Sequence, residues 1–384
     1  GAGRPIERPP VIGRDGKIPA VGADVAVPGG GRVIDAAGQW VTPGLVNATT
    51  ALGLVEVGME ESTNDSRARG DNGVGAAFPA WEALNPASAP WAPARNEGVT
   101  TVGVLPSGGL VAGQAAVVDT QPGPVAEMVR KAPVLMVASL AGAGPAGTRA
   151  RAELFQRMRQ LLEDARVYAQ KRAAFESAAL RALAAPAADL AALGPVVDGT
   201  LPLLVEVHRA ADIEAVLALA RDLKLRLAIL GGAEAWMVAP QLAAAKVPVF
   251  TTALDSIPTS FASLGQRQEN AALLRAAGVP VVLIAGDGES FNVRNVRQQA
   301  GNAVAYGLSW DEALRAVTAA PARALGVGGR AGALAAGKDA NLVVWDGDPF
   351  EFATRAVHVF VKGREVQAPS RQDELTERYL PRAR

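Results

Sequence analysis

The sequence predicts an α/β chain: a (β/α)8 TIM-like barrel carrying a small β-sandwich built from both termini. Two observations predict it. The middle of the chain alternates short apolar segments, rich in Val, Leu and Ile, with helical segments, the pattern of strands covered on both faces. The two ends instead read as short strands broken by Gly, Pro and Asp turns, with no long helical period between them.

At the N-terminal end the expected strands are Val11–Ile12, Ala20–Val21 and Arg32–Ile34, separated by Asp15-Gly16 and Pro28-Gly29-Gly30-Gly31. Ala340–Trp345 and Val357–Val361 mirror them at the far end. The barrel strands are expected at Gly44–Ala48, Thr100–Leu105, Ala115–Val118, Val134–Ser139, Leu203–Val207, Leu227–Leu230, Val247–Thr251 and Val279–Ile284. About eight such strands favour a closed barrel over an open sheet. Helices are expected at Ile213–Leu223, Gln266–Ala277 and Asp311–Ala319, with Asp212 and Ser309 as N-caps. Glu56–Pro90 reads as a long loop, and Arg149–Leu193 as helix that is amphipathic up to Arg172. The resulting domain plan is a composite sandwich of residues 1–43 plus 333–368, a barrel of 44–332 and a C-terminal tail of 369–384.

Composition narrows the chemistry. Lys plus Arg and Asp plus Glu number 38 each, so no global positive field would gather nucleic acid or an anionic membrane. No apolar run approaches the length of a membrane span, and Cys is absent, which removes disulfides, thiolate ligands and a Cys nucleophile. The chain opens without Met, and Gly1–Pro10 has no signal-peptide pattern. A trimmed N-terminus is therefore the expectation, and the compartment, cytoplasmic or exported, is not legible. Histidine is the scarcest informative residue, present only as His208 and His358.

Three phrases carry a resemblance. Near the start, Val33-Ile34-Asp35-Ala36-Ala37-Gly38 leads into Trp40-Val41-Thr42-Pro43-Gly44-Leu45. Near the end stands Gly332-Ala333-Leu334-Ala335-Ala336-Gly337-Lys338-Asp339-Ala340-Asn341-Leu342-Val343-Val344-Trp345-Asp346, preceded by Thr318-Ala319-Ala320-Pro321-Ala322. Together and in this order they resemble the amidohydrolase superfamily, in particular its imidazolonepropionase-like and prolidase-like branch. They are architectural phrases: glycines for tight bends, Pro43-Gly44 for the turn into the first barrel strand. They argue for the fold more than for chemistry.

The resemblance implies a metal site that this sequence does not spell. The family ends its first barrel strand in His-x-His, two residues on one side of a strand that share a divalent ion at about 2.0–2.1 Å. Here the phrase reads Pro43-Gly44-Leu45-Val46-Asn47-Ala48-Thr49-Thr50-Ala51, placing Thr49 and Ala51 at the two ligand positions. Of the family's later ligands, His208 matches one His, the next strand offers only Leu230-Gly231-Gly232, and no match to the bridging Lys is found. Asp287 matches the final Asp, which in active relatives also shuttles the proton of the attacking water. His208 and Asp287 are thus the candidate metal pair, and Asp287 the candidate catalytic base. The expected ligand pocket is Thr49, Gln114, His208, Arg209 and Asp287. His208 read alone is first an ordinary buried histidine bonded to a backbone carbonyl, and Asp287 between glycines equally a cap.

Other features stay open. Glu56, Glu60, Glu61 and Asp65 offer oxygens for a hard cation or a solvated acidic loop. Arg294, Arg297 and Gln298 would meet an anion or form a solvated helix face. Pro106–Gln114 is glycine-rich without Gly-Lys-Ser/Thr, so it is not a P-loop, and no Gly-x-Ser-x-Gly elbow is present. The expectation is a degenerate amidohydrolase without cofactor, which binds a small ligand or assembles as a homo- or hetero-oligomer with an amidohydrolase homologue. The alternative is residual hydrolysis of amide, cyclic amide or dipeptide C–N bonds on a single divalent metal such as zinc.

Overall fold

A computed structural model describes residues 10–68, 73–141, 150–177, 179, 181–254, 257–258, 260–285 and 290–380. Strands β1 (Val11–Arg14) and β2 (Lys17–Val21) form an antiparallel hairpin around Asp15-Gly16, both at positive φ. A four-stranded sheet joins β3 (Trp40–Pro43) to β12 (Leu342–Trp345), β13 (Ala356–Val361) and β14 (Arg364–Glu365). Both chain ends therefore meet in one sheet, as the sequence implied. Arg32–Ile34 is not a strand; its Gly-rich surroundings supply no cross-strand partner.

Between them runs an eight-stranded sheet: β4 (Leu45–Thr50), β5 (Val99–Val104), β6 (Val111–Asp119), β7 (Val129–Ser139), β8 (Leu203–Val207), β9 (Leu227–Gly231), β10 (Val249–Thr251) and β11 (Val281–Leu283). All eight expected strands are present. One expectation needs correcting: β6 runs antiparallel to both β5 and β7. The connection from Val104 to Val111 is too short for a parallel crossover, which takes a dozen or more residues. Gly108 and Gly109, both at positive φ, turn the chain back as a hairpin instead.

Among the described residues β4 and β11 exchange no ladder bond. The Asn47 side chain closes the ring: its Nδ2 donates to the Ala285 carbonyl at 2.9 Å, and its Oδ1 accepts from the Ala285 N–H at 3.3 Å. Entry to β4 depends on Gly44, where a Cβ would lie 2.2 Å from Thr100 Oγ1. Side chains from six of the strands fill the ring, among them Val46, Val117, Leu135, Leu204, Phe250 and Val282, all buried. Ala322, Leu325, Val327 and Ala331 cover its floor.

The helices lie outside. In Arg151–Glu176 the buried positions Leu154, Met158, Leu161, Leu162, Ala165 and Tyr168 fall on one face. Ser309 caps Trp310–Ala316, accepting from the Glu312 N–H. Asp212 is not the N-cap of Ala210–Asp222; Arg209 holds that place, and Asp212 pairs with Arg151 Nε at 2.8 Å. Beyond the sheet, the tail contains a helix, Arg371–Tyr379, with a Ser370/Asp373 capping box. No helix among the described residues is long and apolar enough to cross a membrane.

An ion network fastens the hairpin and terminal sheet to the barrel. Arg130 on β7 donates to Asp119 at 2.8 Å and to Asp339, while Lys17 reaches Asp339 at 2.6 Å and Lys362 reaches Asp119 at 3.0 Å. Both carboxylates and Arg130 are buried. Burial by itself would raise the Asp339 carboxyl; hydrogen bonds from Lys17 and Arg130 outweigh it and hold the group below the ordinary Asp range.

Candidate functional site

Strand periodicity builds the site. Leu204 points into the barrel core, so residues two and four further along, Glu206 and His208, face the same way and emerge above the core at the C-terminal end of β8. This is the end where barrels of this class keep their chemistry. A cavity of ≈ 530 Å³ opens there, lined by Thr49 and Ala51 from the end of β4, Ser139 from β7, Glu206 and His208 from β8, and Gly231 from β9, with further hydroxyls from Ser66, Ser107, Thr251 and Ser290.

The expected ligand positions can now be read in place. Thr49 is 7% exposed, and its Oγ1 is buried without a hydrogen-bond partner. Ala51 offers no donor atom. The His208 ring lies against Gly231: a Cβ built on that glycine would sit 2.4 Å from His208 Cε1 and 2.8 Å from Nδ1. The imidazole therefore occupies the space a side chain on β9 would need. His208 Nε2 faces Glu206 Oε1 at 3.9 Å. The Glu206 carboxyl is held below the usual carboxylate range by His208, against desolvation, with Ser139, its register partner on β7, helping.

These residues do not suit the family's metal. Among the described residues no three His, Asp or Glu side chains converge, whereas a catalytic zinc site keeps three protein ligands. A neutral Thr hydroxyl, one imidazole and one carboxylate fall short of that set, and no step is derived through an ion. Asp287, the expected base and second ligand, lies outside the described residues.

The remaining expected pocket residues point elsewhere. Gln114 donates from Nε2 to the Ala76 carbonyl at 3.1 Å, and Arg209 faces Asp212 at 3.8 Å; neither lines the cavity. His358 sits on β13 with Nδ1 2.6 Å from Glu365 Oε1. Arg297 is no solvated face residue: it is buried, donates to Glu97 at 2.9 Å and to the Pro349 and Glu351 carbonyls, and stands over Trp345. The acidic loop is dispersed, Glu56 accepting from Asn85 and Glu60 from Ser62. Sequence reasoning passed over Ser139 and Glu206, although Glu206, two residues before His208 on a strand, carried the signal.

Known proteins fit this geometry. A model of the amidohydrolase family matches residues 197–367. A 77-residue stretch is 42% identical to the amidohydrolase tasK of Hapsidospora irregularis, covering 20% of this chain and only 8% of that protein's length. The crystal structure of an amidohydrolase from Thermotoga maritima MSB8 superposes with a TM-score of 0.83 at 26% identity, over 93% of this chain and 94% of that one. Molinate hydrolase shares the fold at a TM-score of 0.58 and 21% identity, over 95% and 91% of the two chains. With its terminal phrases and its eight-stranded barrel, the chain is similar to the amidohydrolase family over residues 197–367 and shares the fold of an amidohydrolase over 93% of its length.

Proposed function

We propose that this chain is an amidohydrolase that no longer hydrolyses: it keeps the barrel mouth as a binding site for a small polar ligand, and serves alone or beside a competent homologue. The observation that carries this reading is the His208 ring seated against Gly231. The space for the next strand's ligand is filled by the one imidazole the barrel owns. The buried, unpartnered Thr49 hydroxyl supports the ligand half of the reading, because a buried polar group left unsatisfied costs about 1–3 kcal/mol and a ligand atom would satisfy it.

The test is turnover. Purified chain supplied with zinc or manganese should leave a panel of N-acyl amino acids, cyclic amides and dipeptides uncleaved above buffer. Cleavage that a chelator abolishes and His208→Ala removes would overturn the proposal. It would favour the second reading, residual C–N hydrolysis on one divalent ion with Asp287 as base, for which Glu206 beside His208 supplies a further carboxylate.

A further inference from the structure

At the opposite end of the barrel from the mouth, a second cleft of ≈ 640 Å³ lies beside Pro280 and Val281, where β11 begins. Its floor is small, formed by residues such as Ala316, Ala320 and Ala331, so that charged side chains from the rim stand around open space. Four of them are cations: Arg275, Arg315, Arg323 and Lys338. A single carboxylate, Glu312, answers them. The imbalance stands out in a chain whose formal net charge is zero.

Glu312 is already engaged twice, with Arg275 Nε at 2.9 Å and Arg315 Nη1 at 2.6 Å. Arg275 also donates to the Val279 carbonyl at 3.0 Å, and Lys338 to that of Gly328. Arg323 is exposed, and its guanidinium has no acceptor among the described residues. The bland account is that Arg275, Arg315 and Arg323, each in the last turn of its helix, merely offset the helix dipoles. Those ends supply at most about half a negative charge apiece. Set against an excess of three formal positive charges, they leave a remainder of roughly one and a half or more. A phosphate monoester carries about −1.5 to −2 at neutral pH, and Arg forks suit its oxygens.

We propose that this cleft binds a phosphate group, with Arg323 and the free donors of Arg315 and Lys338 as its contacts. Calorimetric titration of the full chain with inorganic phosphate in dilute chloride buffer tests it. The expected result is one saturable site that acetate does not reproduce and that weakens as salt rises. Arg323→Ala should weaken binding at least roughly tenfold while the thermal melt stays in place, and Arg323→Lys should retain part of the affinity. Ethyl phosphate binding comparably would assign the cleft to phosphorylated small molecules; binding of inorganic phosphate alone would assign it to the free anion. No saturable heat, equal binding of acetate, or affinity unchanged in Arg323→Ala would overturn the proposal.

Discussion

At Gly231 the backbone adopts φ +86° and the neighbouring imidazole takes the room of a side chain. Both conditions penalise any other residue, the first through left-handed strain, the second through overpacking. Gly231→Ala should therefore cost about 1–3 kcal/mol in urea denaturation, and part of that cost should vanish in a His208→Ala background. Equal costs in both backgrounds would separate the ring from the glycine. The sequence displayed the missing His at this strand. It gave no sign that His208 fills the gap, because contact between neighbouring strands depends on register. Arg130 makes the complementary case. Removing it as Arg130→Met takes the shared buried cation from two carboxylates and leaves them to the more exposed Lys17 and Lys362, for a loss of up to about 3–5 kcal/mol. Asp339 titrates lower in the folded chain than unfolded, so the unfolded chain binds its proton first as pH falls. Its stabilisation is complete above the ordinary Asp value of about 3.9 and is lost as pH drops through the lower folded value. Asp339→Asn should flatten that acid limb of the stability curve.

At the scale of elements, barrel closure rests on a side chain. Asn47 bonds twice to Ala285 where β4 and β11 exchange no ladder bond. Asn47→Ala should cost about 1–3 kcal/mol and loosen amide protection at β4 and β11 before other strands, as read by hydrogen exchange; uniform loosening would deny Asn47 that local role. Ser309→Ala should cost about 1 kcal/mol through its lost cap. The strands were legible because each is a compact Val, Leu and Ile run. Their direction was less so. β6 was expected parallel, and only the connection length between Val104 and Val111 could have revealed the hairpin. Asp212 looked like a cap by residue type, but tertiary pairing with Arg151 claimed it.

For the whole molecule, the amidohydrolase-like architecture is shared with an amidohydrolase of known structure, while Thr49 and Ala51 stand where the resemblance leads one to expect His. The terminal phrases were readable across the chain because turn and sheet residues are specified locally. The cavity was less readable, since Ser139, Glu206 and Gly231 come from separate strands and meet only in the closed ring. Gln114 and Arg209 were placed in the mouth by proximity in sequence to glycine-rich or histidine-bearing phrases; a hydrogen bond to the Ala76 carbonyl takes the first elsewhere, and an ion pair with Asp212 the second. Micromolar metal affinity requires about 8 kcal/mol of binding free energy, which several well-placed ligands must supply jointly. Plasma mass spectrometry of the full chain, equilibrated with zinc and then desalted, measures directly whether they do. We predict far less than one zinc retained per chain, with no difference between the native chain and His208→Ala. One or more equivalents held through desalting, and released by that substitution, would contradict the account.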